Sequence, residues 1–232
     1  MIGRLIRIEL AKLRTIGLPW ALLSVSSALT LLVALLKASR AGKHTNGRLT
    51  VGPLNTAHGL ASVLATPDYA TILALVLGVI VVTGEFRHAT ITATYLAFPN
   101  RPRVMAAKML ASGIVGALFG LLASIITTAI AFGFVVAHHY RVALGVGTIF
   151  RYGAGDVLAC MFLAALGVAV GSLIRNQLVA IIAAFAWSLL AEGILYGLSS
   201  SIAPYLPYGA ARQLAGETLS SVSALPFAAA PP

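Results

Sequence analysis

From Met109 to Ala137 the chain runs without one charged residue. At about 1.5 Å of rise per residue, a helix of that length exceeds the roughly 30 Å hydrocarbon core of a bilayer. No ordinary soluble fold needs such a segment, and hydrocarbon demands one. Further uncharged stretches cover about 17–36, 69–84, 157–174 and 177–197. The expected fold is therefore an all-α membrane protein, a single transmembrane domain over 1–232 built as a bundle of five helices. Composition agrees. Charged residues make up 9% of the chain and hydrophobic ones 59%, whereas soluble domains carry about 25% charged residues.

The net charge is +10. The basic residues flank apolar runs and do not form one stripe, which favours anionic headgroups and topology over nucleic acid. Residues 2–14, IGRLIRIELAKLR, place Ile2, Leu5, Ile6, Leu10 and Leu13 on one broad side and Arg4, Arg7 and Arg14 opposite. This predicts an N-terminal amphipathic helix in the membrane interface. Glu9 breaks the apolar arc. No cleavable signal peptide is evident, because a charged amphipathic stretch precedes the first apolar run.

Orientation is set by lysine and arginine in the loops. With the N-terminus inside, nine of the 16 fall on cytoplasmic segments, and 84–108 is the richest loop. Seven fall outside, among them Lys37, Arg40, Lys43 and Arg48. The expectation is a multi-pass protein of the cell membrane with its N-terminus in the cytoplasm and 198–232 as an external segment.

Catalytic and nucleotide motifs are missing. There is no G-x-x-x-x-G-K-[ST], H-E-x-x-H, paired-cysteine or G-x-S-x-G pattern. An enzyme is therefore not expected. His138-His139 is an interfacial pair with no acidic neighbour, and Cys160 has no internal disulfide partner. The Gly116/Gly120 and Gly167/Gly171 pairs predict close helix packing. Asp156 is expected where the fourth span meets the outside, one turn after Arg151. Glu192 is the one carboxylate well inside an apolar run, which makes it a functional candidate. Together with Thr127 and Thr128 it is a candidate for a substrate pathway through the bundle.

The segment between the second and third spans is the most informative. It holds Gly84-Glu85-Phe86-Arg87-His88-Ala89-Thr90, then Pro99-Asn100-Arg101, then Ala106-Ala107-Lys108. This resembles the permease subunit of ABC-2 type ABC transporters, in which the second span ends in G-E-[FY]-R-x-[GA]-T. A coupling helix, a P-x-R turn and an A-K pair then follow in that family, and the amphipathic 2–14 helix matches its connecting helix. The resemblance extends to about residue 225, and it implies a sixth span beyond the five visible here. It implies an exporter whose ATP and magnesium sit in a separate ATPase subunit, with a second permease chain and membrane lipid as further partners.

It also implies a cytoplasmic coupling helix over 88–98. The coupling residues would be Glu85, Arg87, Thr90, Tyr95, Leu96, Phe98 and Arg101, with Glu85 bonding neighbouring backbone or an arginine. The alternation of Thr90, Thr92 and Thr94 with Ile91, Ala93 and Tyr95 favours a strand locally. The lack of a partner strand beside a membrane favours a helix. A non-transport scaffold or sensor that recruits a cytoplasmic partner is the alternative function.

Overall fold

A computed structural model describes residues 2–45, 48–49, 51–66, 68–142, 144–191 and 194–195. The chain is helical almost throughout. α1 (Ile2–Thr15) and α2 (Gly17–Arg40) are followed by a two-residue hairpin, β1 (His44–Thr45) against β2 (Arg48–Leu49), and a short α3 (Ala57–Leu64). Next come α4 (Asp68–Arg87), α5 (Thr90–Ala97), α6 (Arg101–Ala137), α7 (Val146–Ile174) and α8 (Gln177–Phe185). A π-helical segment, Ala186–Ala191, continues α8.

Among the described residues, four helical stretches are long and apolar enough to cross a membrane: Gly17–Arg40, Ala57–Arg87, Arg101–Ala137 and Val146–Ile174. The expected fifth span appears as a shorter apolar helix, Gln177–Ser188. Within that span Glu192, Gly193 and residues 196–197 lie outside the described residues, as does the segment 198–232.

The long helices begin earlier than charge alone suggests. α6 starts at Arg101, not at 109, and α7 starts at Val146, not at 157. Asn100 caps α6 by accepting from the Arg103 amide at 3.2 Å, and Asn176 caps α8 by accepting from Val179 at 3.2 Å. Lys108 and Asp156 therefore lie within helices. Both are buried, at 0% and 1% exposure. The expectation that Asp156 marks the outer end of the fourth span is corrected. It lies in the packed wall between α7 and α6, while Arg151 stays exposed.

α7 is the central helix, packed against both α4 and α6. Glycines make that possible. A Cβ on Gly116 or Gly120 of α6 would sit 2.5 Å from the carbonyl oxygen of Cys160 or Asp156 in α7. Gly167 lets α7 approach the α4 backbone at Leu75 just as closely. The two expected GxxxG pairs are thus packing surfaces. The core at this crossing is Ala70, Ala74, Leu77, Phe119, Ala123 and Ala164.

At the hairpin end, α3 packs on α2 and α6 through Leu60, Val63, Ala34 and Ala131. Lys37 donates to the carbonyls of Ser62 and Ala65 at 3.2 and 3.4 Å. Those are terminal carbonyls of α3 that lack helical partners, and a cation there also suits the helix dipole. Lys37, in the last turn of α2 and not in the loop that follows, therefore has a structural task.

Candidate functional site: a buried four-charge ring at the α1–α4–α6 junction

α1 forms where the amphipathic pattern predicts it. Its buried residues are Leu5, Glu9 and Leu13, successive positions along one stripe. Glu9 is thus in the middle of the buried face. It meets Glu85 near the end of α4 and Lys108 two turns into α6.

The four charges close a ring. Lys12 Nζ donates to Glu9 Oε1 and to Glu85 Oε1, both at 3.1 Å. Lys108 Nζ donates to Glu9 Oε2 at 2.9 Å and to Glu85 Oε1 at 2.6 Å. Each carboxylate touches both ammonium groups, so formal charge cancels within the ring. Side-chain exposure falls from 42% at Lys12 to 13% at Glu85, 5% at Glu9 and 0% at Lys108. Burial pulls the Lys12 ammonium down, but the Glu9 and Glu85 carboxylates outweigh it and hold Lys12 above its ordinary value. The second carboxylate oxygen of Glu85 is buried and has no hydrogen-bond partner among the described residues.

The expectation for Glu85 is corrected in its partners. It pairs with lysines of two other helices, not with an arginine or local backbone. Arg87, exposed at the end of α4, donates instead to Gln177 Oε1 of α8 at 3.4 Å. Thr90 Oγ1 lies 3.5 Å from the Glu85 carbonyl oxygen.

The expected coupling segment is helical. α5 covers Thr90–Ala97, within the expected 88–98. The chain turns into it through Ala89, whose φ of 55° is left-handed. Glycine takes that conformation without penalty, whereas the Cβ of an alanine makes it strained. Leu96 is 81% exposed, and Tyr95 and Phe98 are half-buried. Arg101 lies over the Tyr95 ring at 5.3 Å, a cation–π contact that ties the start of α6 to α5.

The remaining candidates lie apart from this junction. Thr127 is buried and spends its hydroxyl on the Ser124 carbonyl of its own helix at 3.1 Å, while Thr128 is half-buried. His138 stacks between Phe134 and Tyr140, at 5.9 and 5.5 Å. No group of three metal-ligating side chains occurs among the described residues.

A groove of about 540 Å³ opens beside the ring. Its walls are apolar along Leu13, Pro19, Leu77, Ile80 and Val81, and its rim is polar at Lys12, Glu85, Arg87 and Gln177. A second cavity of about 350 Å³ continues past Arg87 to Arg175 and Asn176.

Sequence reasoning missed Glu9, Lys12 and Lys108 as members of a site. Two signals were present: the interruption of the apolar arc by Glu9, and a lysine at the threshold of the longest uncharged run. No known family, curated protein or solved structure matches this chain. Its class rests on its own features: among the described residues the chain is almost wholly helical, and four long apolar helices point to a membrane protein.

Proposed function

We propose that this chain is the transmembrane permease subunit of an ATP-driven exporter of the ABC-2 type. In this reading two permease chains line the substrate path and a separate ATPase subunit holds ATP and magnesium. The observation that carries the reading is the junction itself. A short exposed helix, α5, interrupts two long apolar helices whose facing ends are tied together and to α1 by four charges.

A device that converts nucleotide-driven motion into helix motion needs a protruding element and a stiff attachment. α5 offers the first, with Leu96 exposed and Tyr95 held under Arg101. The ring offers the second, because a push on α5 cannot move α4 without α6 and α1. A tyrosine beside an arginine, as at Tyr95 and Arg101, is also the kind of pair that anchors an interface.

Purification from native membranes tests the proposal. The expected result is co-purification of an ATPase that carries a P-loop. ATP hydrolysis by the isolated chain, or recovery of the intact chain without any ATPase, refutes it.

A further inference from the structure

The groove beside the charge ring has two unlike ends. One end is walled by Leu77, Ile80 and Val81 of α4 and by Leu13 and Pro19. Leu77 lies about 15 Å along α4 from Arg87 at a helical rise of about 1.5 Å per residue. An apolar channel therefore leads from the interface into the depth of the bundle. The other end carries Arg87 and, through the adjoining cavity, Arg175. Its volume falls within the roughly 300–1,000 Å³ of small-molecule sites.

The charge balance of the rim is not neutral. Glu9 and Glu85 also face the groove, but each is engaged by both Lys12 and Lys108. The ring thus contributes no net charge. Among the described residues, no carboxylate lies within 4.0 Å of Arg87 or Arg175. Arg87 makes one long bond to a neutral amide, and Arg175 lies 5.8 Å over the Phe86 ring. Arg175 is held at the turn in a left-handed conformation, φ 56°. Two guanidinium groups therefore share one cavity with no acidic partner among the described residues, at the mouth of an apolar groove.

We propose that this groove holds an acyl chain of a single anionic phospholipid, with its phosphate between Arg87 and Arg175. The lipid comes from the leaflet that contains the α4–α6 turn. Guanidinium suits the headgroup because it forks onto phosphate oxygens. Ile80 and Val81 suit the tail because they are only half-buried and present apolar surface to the groove above the buried Leu77. The inference rests on the membrane reading of the chain, and it is independent of any ATPase partner.

The test is native mass spectrometry of the full chain released from micelles containing phosphatidylglycerol and phosphatidylcholine. Three proteins are compared: the natural chain, R87Q/R175Q, and I80W, in which an indole fills the apolar groove. The natural chain should retain phosphatidylglycerol over phosphatidylcholine by on the order of tenfold, the size expected when two arginines meet a headgroup of net negative charge and not one whose choline cation offsets the phosphate. R87Q/R175Q should lose that preference, and I80W should lose the bound lipid. Thermal unfolding of both variants within a few degrees of the natural chain shows that the fold is kept. Equal retention of the two lipids by the natural chain overturns the proposal, as does an undiminished preference in R87Q/R175Q. Competition by inorganic phosphate with I80W unaffected also overturns it, since that result describes an anion site without a lipid. Failure of an ATPase to co-purify leaves these measurements unchanged, so the two proposals fail separately.

Discussion

Replacing Lys108 with methionine isolates the contribution of the charge ring. The two side chains are similar in length and apolar stem, so packing changes little and one charge disappears. Lys108 is fully buried and bonds Glu9 at 2.9 Å and Glu85 at 2.6 Å. Without it, two carboxylates share Lys12 alone, and the buried cluster carries a net negative charge. Removing one partner from a buried ion pair costs about 3–5 kcal/mol, because the remaining charge is desolvated and uncompensated. Lys12 makes the same number of ion pairs, yet its side chain is 42% exposed. Water takes over there, and Lys12→Met should cost only about 0–1 kcal/mol. The asymmetry between two lysines of one ring is the discriminating quantity.

Cys160 supplies the assay. It is the one cysteine in the chain, and it is buried. A thiol-reactive dye in detergent therefore reports unfolding without any added label. At about 2–4 °C per kcal/mol for a chain of this size, Lys108→Met should lower the midpoint by about 10 °C and Lys12→Met by under about 4 °C. Adding Glu9→Gln to Lys108→Met leaves a neutral Lys12–Glu85 pair. It should recover about 2 kcal/mol relative to the sum of the single changes. Equal midpoints for the two lysine variants, or strictly additive effects in the double variant, would refute the closed ring.

Other measurements follow from the same geometry. Lys12 titrates above its ordinary value of 10.5 in the folded protein, so its pairing stabilises fully below that pH and is lost as pH rises through the folded value. Midpoints of the natural chain should fall in strongly alkaline buffer more than those of Lys12→Met; parallel curves would contradict the pairing. Ala89→Gly relieves a left-handed backbone and should raise stability by about 1 kcal/mol in the same dye assay, whereas a fall would show that Ala89 is unstrained. Gly120→Val drives a side chain into the Asp156 carbonyl and should cost at least about 1–3 kcal/mol through separation of α6 from α7; an unchanged midpoint would mean the helices do not touch there. Under the proposed function, Tyr95→Ala with Leu96→Ala leaves the midpoint intact but uncouples ATP hydrolysis from transport or loosens the ATPase. Full transport in vesicles with normal ATPase retention would reduce α5 to a connecting loop.

The elements legible in the sequence were those governed by local pattern. α1 follows from its apolar stripe, and the glycine pairs follow from close packing. α5 emerges between two helices although its threonines alternate as in a strand, because no second strand is there to accept its backbone bonds. What stayed hidden depended on distant partners. A charge normally ends a lipid-facing run, and that rule placed the third span at 109 and the fourth at 157. The rule fails at Lys108 because its charge meets Glu9 and Glu85, 99 and 23 residues away in sequence. It fails at Asp156 because that side chain is enclosed by helices and not by lipid. Glu9 looked like a flaw in an amphipathic helix for the same reason.

That flaw gives the junction its mechanical character. Apolar contact between α1 and α6 is non-directional, so by itself it specifies helix register less sharply than charged pairs do. Four charges that alternate in sign specify it more sharply, because a shift of one helix leaves a buried carboxylate facing nothing. The ring therefore pins register where packing alone does not, the role for which buried polar groups are best attested. Ala89 lies four residues past Glu85, where the helix breaks and the chain reverses. A stiff three-helix node is thus followed at once by a turn that holds α5 away from it. If α5 receives a push, the node converts it into joint movement of α1, α4 and α6, and the apolar groove along α4 changes shape with them. Breaking the ring with Lys108→Met should then weaken coupling more than it weakens binding of the ATPase, whereas altering α5 should weaken both. A ring variant that keeps its full ratio of transport to hydrolysis would show that the node is structural cement and carries no motion.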